Sequence, residues 1–124
     1  MIFDNDVLIW YFRGHALTAA TIRDTALRQV SVVSVMELYA GARNRQELAQ
    51  INAALRDLDF EMVPLKTEIG ERAAILMETL KLGGGLMPAD ALIAATALEL
   101  RQPLITANRK HFAIVPGLML QLFQ

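Results

Sequence analysis

Three acidic residues stand where a short apolar run gives way to a new segment: Asp4 in MIFDNDVLIW, Glu37 in SVVSVMELYAGA and Asp90 in MPADALIAATAL. Thr106 and Asn108 occupy a fourth junction of the same kind, in ITANRKHF. Carboxylates brought close together repel one another unless a cation neutralises them. The chain contains no cysteine, so a metal here must be held by oxygen or imidazole, which favours Mg²⁺ or Mn²⁺ over zinc. Such ions usually keep several waters, and a bound water of lowered pKa is a nucleophile near neutral pH. The chemistry this pattern suits is metal-assisted hydrolysis of a phosphodiester.

Each residue also has a structural use. Asp4 or Asp6 could cap a helix beginning at Val7. Ser34 and Glu37 fit the S-x-x-E capping box. Asp90, two residues past Pro88, suits the positive end of a helix dipole, and Asn108 is an ordinary turn residue. Chemistry requires that the elements bring them to one place.

The elements are legible from periodicity. MIF reads as a short buried strand, VLIWYF as the helix after it with Gly14 as its stop, and a further helix covers about Ala16 to Leu27. VSVVS, around Val30 to Ser34, has the β-branched richness of a second strand and runs into a long helical segment marked by Leu48, Ile51, Leu55 and Leu58. FEMVPL is the third strand. Ile69, Ala73, Leu76 and Leu80 mark one face of the next helix, with Thr67 as its N-cap. Only Gly83 to Gly85 break the flow. Pro88 suits a first helical turn, and ALIAATALEL is apolar nearly all round, as a helix packed on both sides would be. PLITA is the fourth strand and GLMLQLF a fifth. Strands alternating with helices imply a three-layer α/β/α sandwich around a central parallel sheet. In such a sheet ligands are bound beyond the carboxyl ends of the strands, where Asp4, Glu37, Asp90, Thr106 and Asn108 fall.

With 124 residues, a single domain spanning 1–124 is expected. The hydrophobic fraction of 54% leaves apolar surface for a second copy or another protein. No apolar stretch reaches the roughly 18 residues of a membrane helix, and Met1 leads into the fold without a basic signal-peptide start, so a cytoplasmic protein is expected. A formal charge of -1 argues against bulk attraction to nucleic acid, but allows a local basic rim drawn from Arg13, Arg43, Arg45, Arg109 and Lys110.

MIFDNDVLI, SVVSVMELYAGA, MPADALIAATALEL and PLITANRKHF, in this order and spacing, resemble the PIN-domain ribonucleases, specifically the VapC-type toxins of type II toxin-antitoxin modules. The likeness covers nearly the whole chain. It implies a Mg²⁺- or Mn²⁺-dependent endoribonuclease acting on RNA, a homodimer, and inhibition by a cognate antitoxin that fills the active-site groove. By position, Asp4 corresponds to the family's first metal-binding acid, Glu37 to the second and Asp90 to the third. Asn108 joins them in catalysis, while Thr106, Asn5 and Arg109 are assigned to the substrate. Asn5 stands where threonine is common, and Asp6 is read as peripheral. The family's last motif often runs T-x-N-x-x-(D/E)-F. Thr106, Asn108 and Phe112 match it, and His111 takes the acidic place, so the fourth acid is missing. His111 is read as a surface histidine, with contact to a phosphate or a metal-bound water as the alternative.

Two other readings stand beside this one. Asp4-Asn5-Asp6 after a strand fits the D-x-D start of haloacid-dehalogenase-like phosphatases, in which the first Asp attacks phosphate, although no Gly-Asp pair occurs in the chain. A PIN-like domain short of one acid could instead be a catalytically weak module that binds RNA or a protein.

Overall fold

The computed structural model describes residues 1–123. Its elements are β1 (Ile2–Phe3), α1 (Asn5–Phe12), α2 (Ala16–Asp24), β2 (Gln29–Ser31), α3 (Val32–Ala40), α4 (Arg45–Asp57), β3 (Glu61–Val63), α5 (Thr67–Gly84), α6 (Pro88–Leu100), β4 (Leu104–Thr106), α7 (Arg109–Phe112) and β5 (Leu120–Leu122). The five strands form one sheet in the order β3-β2-β1-β4-β5. Every pairing is parallel. After β3 the chain returns to the far side of β1, so the direction of winding reverses between β1 and β4. Such a switch point opens a crevice at the carboxyl edge of a sheet.

Alternation along the strands separates two cores. Ile2 and Leu104 face a cluster built with Ile69, Ala73, Ile93 and Ala94 of α5 and α6. Phe3, Val30 and Ile105 face the opposite one, with Val7, Leu8, Ile22, Val35, Leu38 and Ile51 from α1 to α4. The expected three-layer α/β/α sandwich is therefore present, with α5 and α6 on one face of the sheet. In α6, Ala91 and Ile93 to Ala97 are all buried, as its uniformly apolar sequence requires.

Several local expectations are corrected. The second strand ends at Ser31, three residues early, because Ser31 itself caps α3: its Oγ accepts from the Val33 amide at 3.1 Å. Ser34 and Glu37 therefore form no capping box. Ser34 is fully buried with its hydroxyl unpartnered, and Glu37 lies in the second turn of α3. The long helical segment is two helices, separated where Asn44 caps α4 by accepting from the Glu47 amide at 2.9 Å. Lys66, not Thr67, precedes α5. The second helix stops at Asp24 rather than Leu27. Gly83 and Gly84 continue α5, and the break falls at Gly85, which takes φ +72°, a left-handed stop that glycine adopts without steric cost.

Candidate active site

Asp4 terminates β1 and begins α1. Its backbone amide donates to Ile105 O of β4 at 3.0 Å, which fixes it at the switch point. One carboxylate oxygen accepts from the Asn5 amide at 2.8 Å, so the capping use is real. The other accepts from Thr106 Oγ1 at 2.8 Å, across the β1–β4 seam. The side chain is 5% exposed. Burial, and next the charge of Asp6, push its carboxyl up to about 7, against the two hydrogen bonds that favour ionisation; Glu37 adds a smaller push upward.

Thr106 is fully buried, with its hydroxyl committed to Asp4 while it accepts from the Asn108 amide at 3.0 Å. Its geometry fixes the orientation of the Asp4 carboxylate. Asp6, read from the sequence as peripheral, belongs to the same network. Its Oδ2 accepts from the Ala107 amide at 3.1 Å and lies 3.3 Å from Thr106 Oγ1, and its Oδ1 is buried with no partner. Burial raises its carboxyl, and so does Asp90. The overlooked signal was position: Asp6 lies in the first turn of α1, two residues beyond Asp4, where a side chain still reaches the sheet edge.

Glu37 enters from α3. Its carboxyl is also raised, by burial first and then by Asp90 and Asp6. No helix N-terminus holds it ionised, since it lies in the second turn of α3. Asp90, the third residue of α6, lies in the first helical turn and accepts from the Met87 amide at 3.3 Å, a capping contact. His111 is not a surface bystander. Its Nδ1 lies 3.0 Å from Asp90 Oδ2 and 3.0 Å from Asn108 Nδ2. Asn5 is half-buried at the start of α1, and Arg109 is exposed at the start of α7.

Acids from three crossovers thus come together, and the carboxyls of Asp4, Asp6 and Glu37 are pushed up by burial and by neighbouring acids. Among the described residues, no lysine or arginine forms an ion pair with any of them. Uncompensated negative charge and the orphaned oxygen of Asp6 fit a cation of oxygen preference. Among the described residues no three acidic or imidazole groups converge closely enough to enclose an ion by themselves. Beside the acids, a cleft of about 490 Å³ runs between α1, α3 and α4. Ile9, Phe12, Leu38 and Ile51 line it together with Glu37 and Arg13. Arg43, a candidate for the basic rim, is paired with Glu47 at 2.8 Å.

A family model described as PIN domain matches residues 1–118. The chain is 32% identical over 114 residues to ribonuclease VapC1 of Methanocaldococcus jannaschii, a match that takes in 90% of this chain and 78% of that protein. Among solved structures, a toxin-antitoxin complex from Klebsiella pneumoniae is similar at 29% identity and a TM-score of 0.79, over 99% of this chain and 95% of that one. VapBC2 from Rickettsia felis, bound to a DNA fragment from its promoter, shares the fold at 18% identity and a TM-score of 0.84, over 100% of both chains.

Proposed function

This chain belongs to the PIN domain family, and on that premise we propose that it is the toxin of a type II toxin-antitoxin pair, an endoribonuclease that hydrolyses RNA phosphodiester bonds with Mg²⁺ or Mn²⁺. One observation carries this reading: at the carboxyl edge of the sheet, burial and neighbouring acids push up the carboxyls of Asp4, Asp6 and Glu37, Asp90 being one of those acids, and no lysine or arginine among the described residues pairs with any of the four. The phosphatase alternative falls with the family assignment.

Asp4, Glu37 and Asp90 would hold the cation, with Asp6 beside them. A bound divalent ion supplies positive charge against the scissile phosphate and lowers the pKa of the attacking water. Thr106 keeps the Asp4 carboxylate in one orientation through its hydroxyl, which limits the reorganisation needed when charge develops. Asn108 is held beside it by its amide bond to Thr106, so its side chain can orient a phosphate oxygen or water. Asn5 would hydrogen-bond the RNA backbone, and the exposed Arg109 and Arg13 would offset its charge.

A cognate antitoxin is the partner that suits the cleft, because a peptide packed on Ile9, Phe12 and Leu38 there would also touch Glu37. A second copy of the chain suits the exposed apolar patch of Met36, Tyr39 and Leu48 on α3 and α4. No described helix is long and apolar enough to cross a membrane, and we place the protein in the cytoplasm, where its RNA substrate is.

The test is cleavage of RNA by the purified chain. Mg²⁺ or Mn²⁺ is expected to be required, EDTA to abolish cleavage, and Asp4→Asn or Asp90→Asn to lower it about 100-fold or more. Cleavage that survives chelation or both substitutions would overturn the reading. RNA binding without cleavage at any metal concentration would make the chain a binding module instead.

A further inference from the structure

We propose that Asp6 is a positioning residue for the RNA: by accepting from the Ala107 amide it holds the turn between β4 and α7, and with it Asn108 and Arg109, the groups set to grip the substrate. The inference rests on the nuclease reading above and assigns Asp6 to this turn rather than to the cation.

The turn needs a hold from outside itself. It runs between two buried anchors, Thr106 at the end of β4 and Phe112 in α7, while Ala107 is exposed, so packing does not fix it. Within the turn, the Asn108 amide folds back onto Thr106 Oγ1 at 3.0 Å. Among the described residues, one side chain from elsewhere in the chain bonds to its backbone: Asp6 Oδ2 accepts from the Ala107 amide at 3.1 Å, across 101 positions. Thr106 Oγ1 has a single proton to give, and lying 2.8 Å from Asp4 against 3.3 Å from Asp6, it gives that proton to Asp4. The two aspartates at the head of α1 therefore divide the turn between them. Asp4 takes the hydroxyl and Asp6 takes the amide.

The support beneath Asp6 suits it to this role. It lies in the first turn of α1, and the residues that follow it, Val7 and Leu8, are buried in the core. Its Oδ1 is buried with no partner, so the side chain is held in place through Oδ2. A loop that binds substrate works when a rigid element fixes it, and a misplacement of about 1 Å can cost about 100-fold in rate. Asn108 and Arg109 follow Ala107 directly, so whatever fixes that amide fixes their starting point. The hold requires an oxygen that accepts, not a charge, and this separates it from service to a cation.

Amide hydrogen exchange followed by NMR on the full chain, without RNA or metal, reads the hold directly, and steady-state cleavage of RNA reads its consequence. The Ala107 amide of the wild type should be protected. Asp6→Ala should speed its exchange about ten-fold or more and raise KM for RNA about ten-fold, with kcat changed about three-fold at most. Asp6→Asn keeps an oxygen for the amide and should return both protection and KM to within about three-fold of the wild type. A merely structural loss would instead speed exchange across the core, and circular dichroism checks that each variant is folded. A wild-type Ala107 amide that exchanges as fast as an unprotected one overturns the inference even if neither variant folds, and leaves the nuclease reading intact. Asp6→Asn as damaged as Asp6→Ala, with the loss in kcat, also overturns it and returns Asp6 to the charge of the site. A wild type that protects Ala107 yet cleaves no RNA overturns the nuclease reading and the substrate role together.

Discussion

Burial raises the Asp4 carboxyl to about 7, against about 3.9 in an unfolded chain. Between those values the folded protein holds a proton that the unfolded chain has released. Stability therefore falls as pH rises from about 4 to about 7, and for this group it is level on either side. The penalty for ionised Asp4 is on the order of 4 kcal/mol at pH 8, and Asp6 and Glu37, both raised, act in the same direction. Without divalent cation the protein is expected to melt higher at pH 5 than at pH 8 by scanning fluorimetry. Asp4→Asn carries no charge and should melt higher than the wild type at pH 8, while cleaving RNA far more slowly. A site kept for function at the expense of stability behaves in this way. Thr106 gives a second test. Thr106→Val leaves Asp4 Oδ2 and the Asn108 amide without their partner and should cost about 1–3 kcal/mol in denaturant titrations. Because the hydroxyl faces Asp4 rather than the cleft, kcat should fall more than KM for RNA. The reverse pattern would return Thr106 to the substrate.

At the scale of elements, the join between β2 and α3 decides where Glu37 points. Ser31 closes the strand and opens the helix with one buried hydrogen bond to Val33, which sets the phase of every residue that follows in α3. Ser31→Ala should lower stability by about 1–2 kcal/mol. Ser34 is its counterpart: fully buried, with no partner for its hydroxyl. Ser34→Ala removes an unpaired buried polar group and is expected to be neutral or stabilising. Had Ser34 and Glu37 formed the capping box that their spacing suggests, the two substitutions would rank in the opposite order.

For the whole molecule, the parallel sheet leaves α3 and α4 with apolar side chains facing outward. Met36 is 59% exposed, and Tyr39 and Leu48 lie beside it. If a second copy covers this patch, light scattering should report a dimer for the wild type and a monomer for Met36→Asp, with the melting temperature of the isolated fold little changed. A wild-type monomer at micromolar concentration would remove the dimer. The groove makes a separate prediction: a peptide partner bound along Ile9, Phe12 and Leu38 should block cleavage by covering Glu37, and Phe12→Asp should release the inhibition without lowering the basal rate.

The sequence by itself determined the alternation of strands and helices, the buried character of α6, and the positions of Asp4 and Asp90 at the starts of helices. These are local properties, written in periodicity and in breaks of hydropathy that lie within a few residues. Tertiary structure alone decided that β1 and β4 lie side by side, so that Thr106 meets an aspartate 102 positions away. It also decided that Asp6 joins the acids, and that His111, which reads from the chain as a surface histidine, comes to rest against Asp90. Strand order depends on how both faces of the sheet are covered at once, and a carboxyl group's proton affinity depends on everything packed around it. Neither quantity is carried by any short stretch of residues.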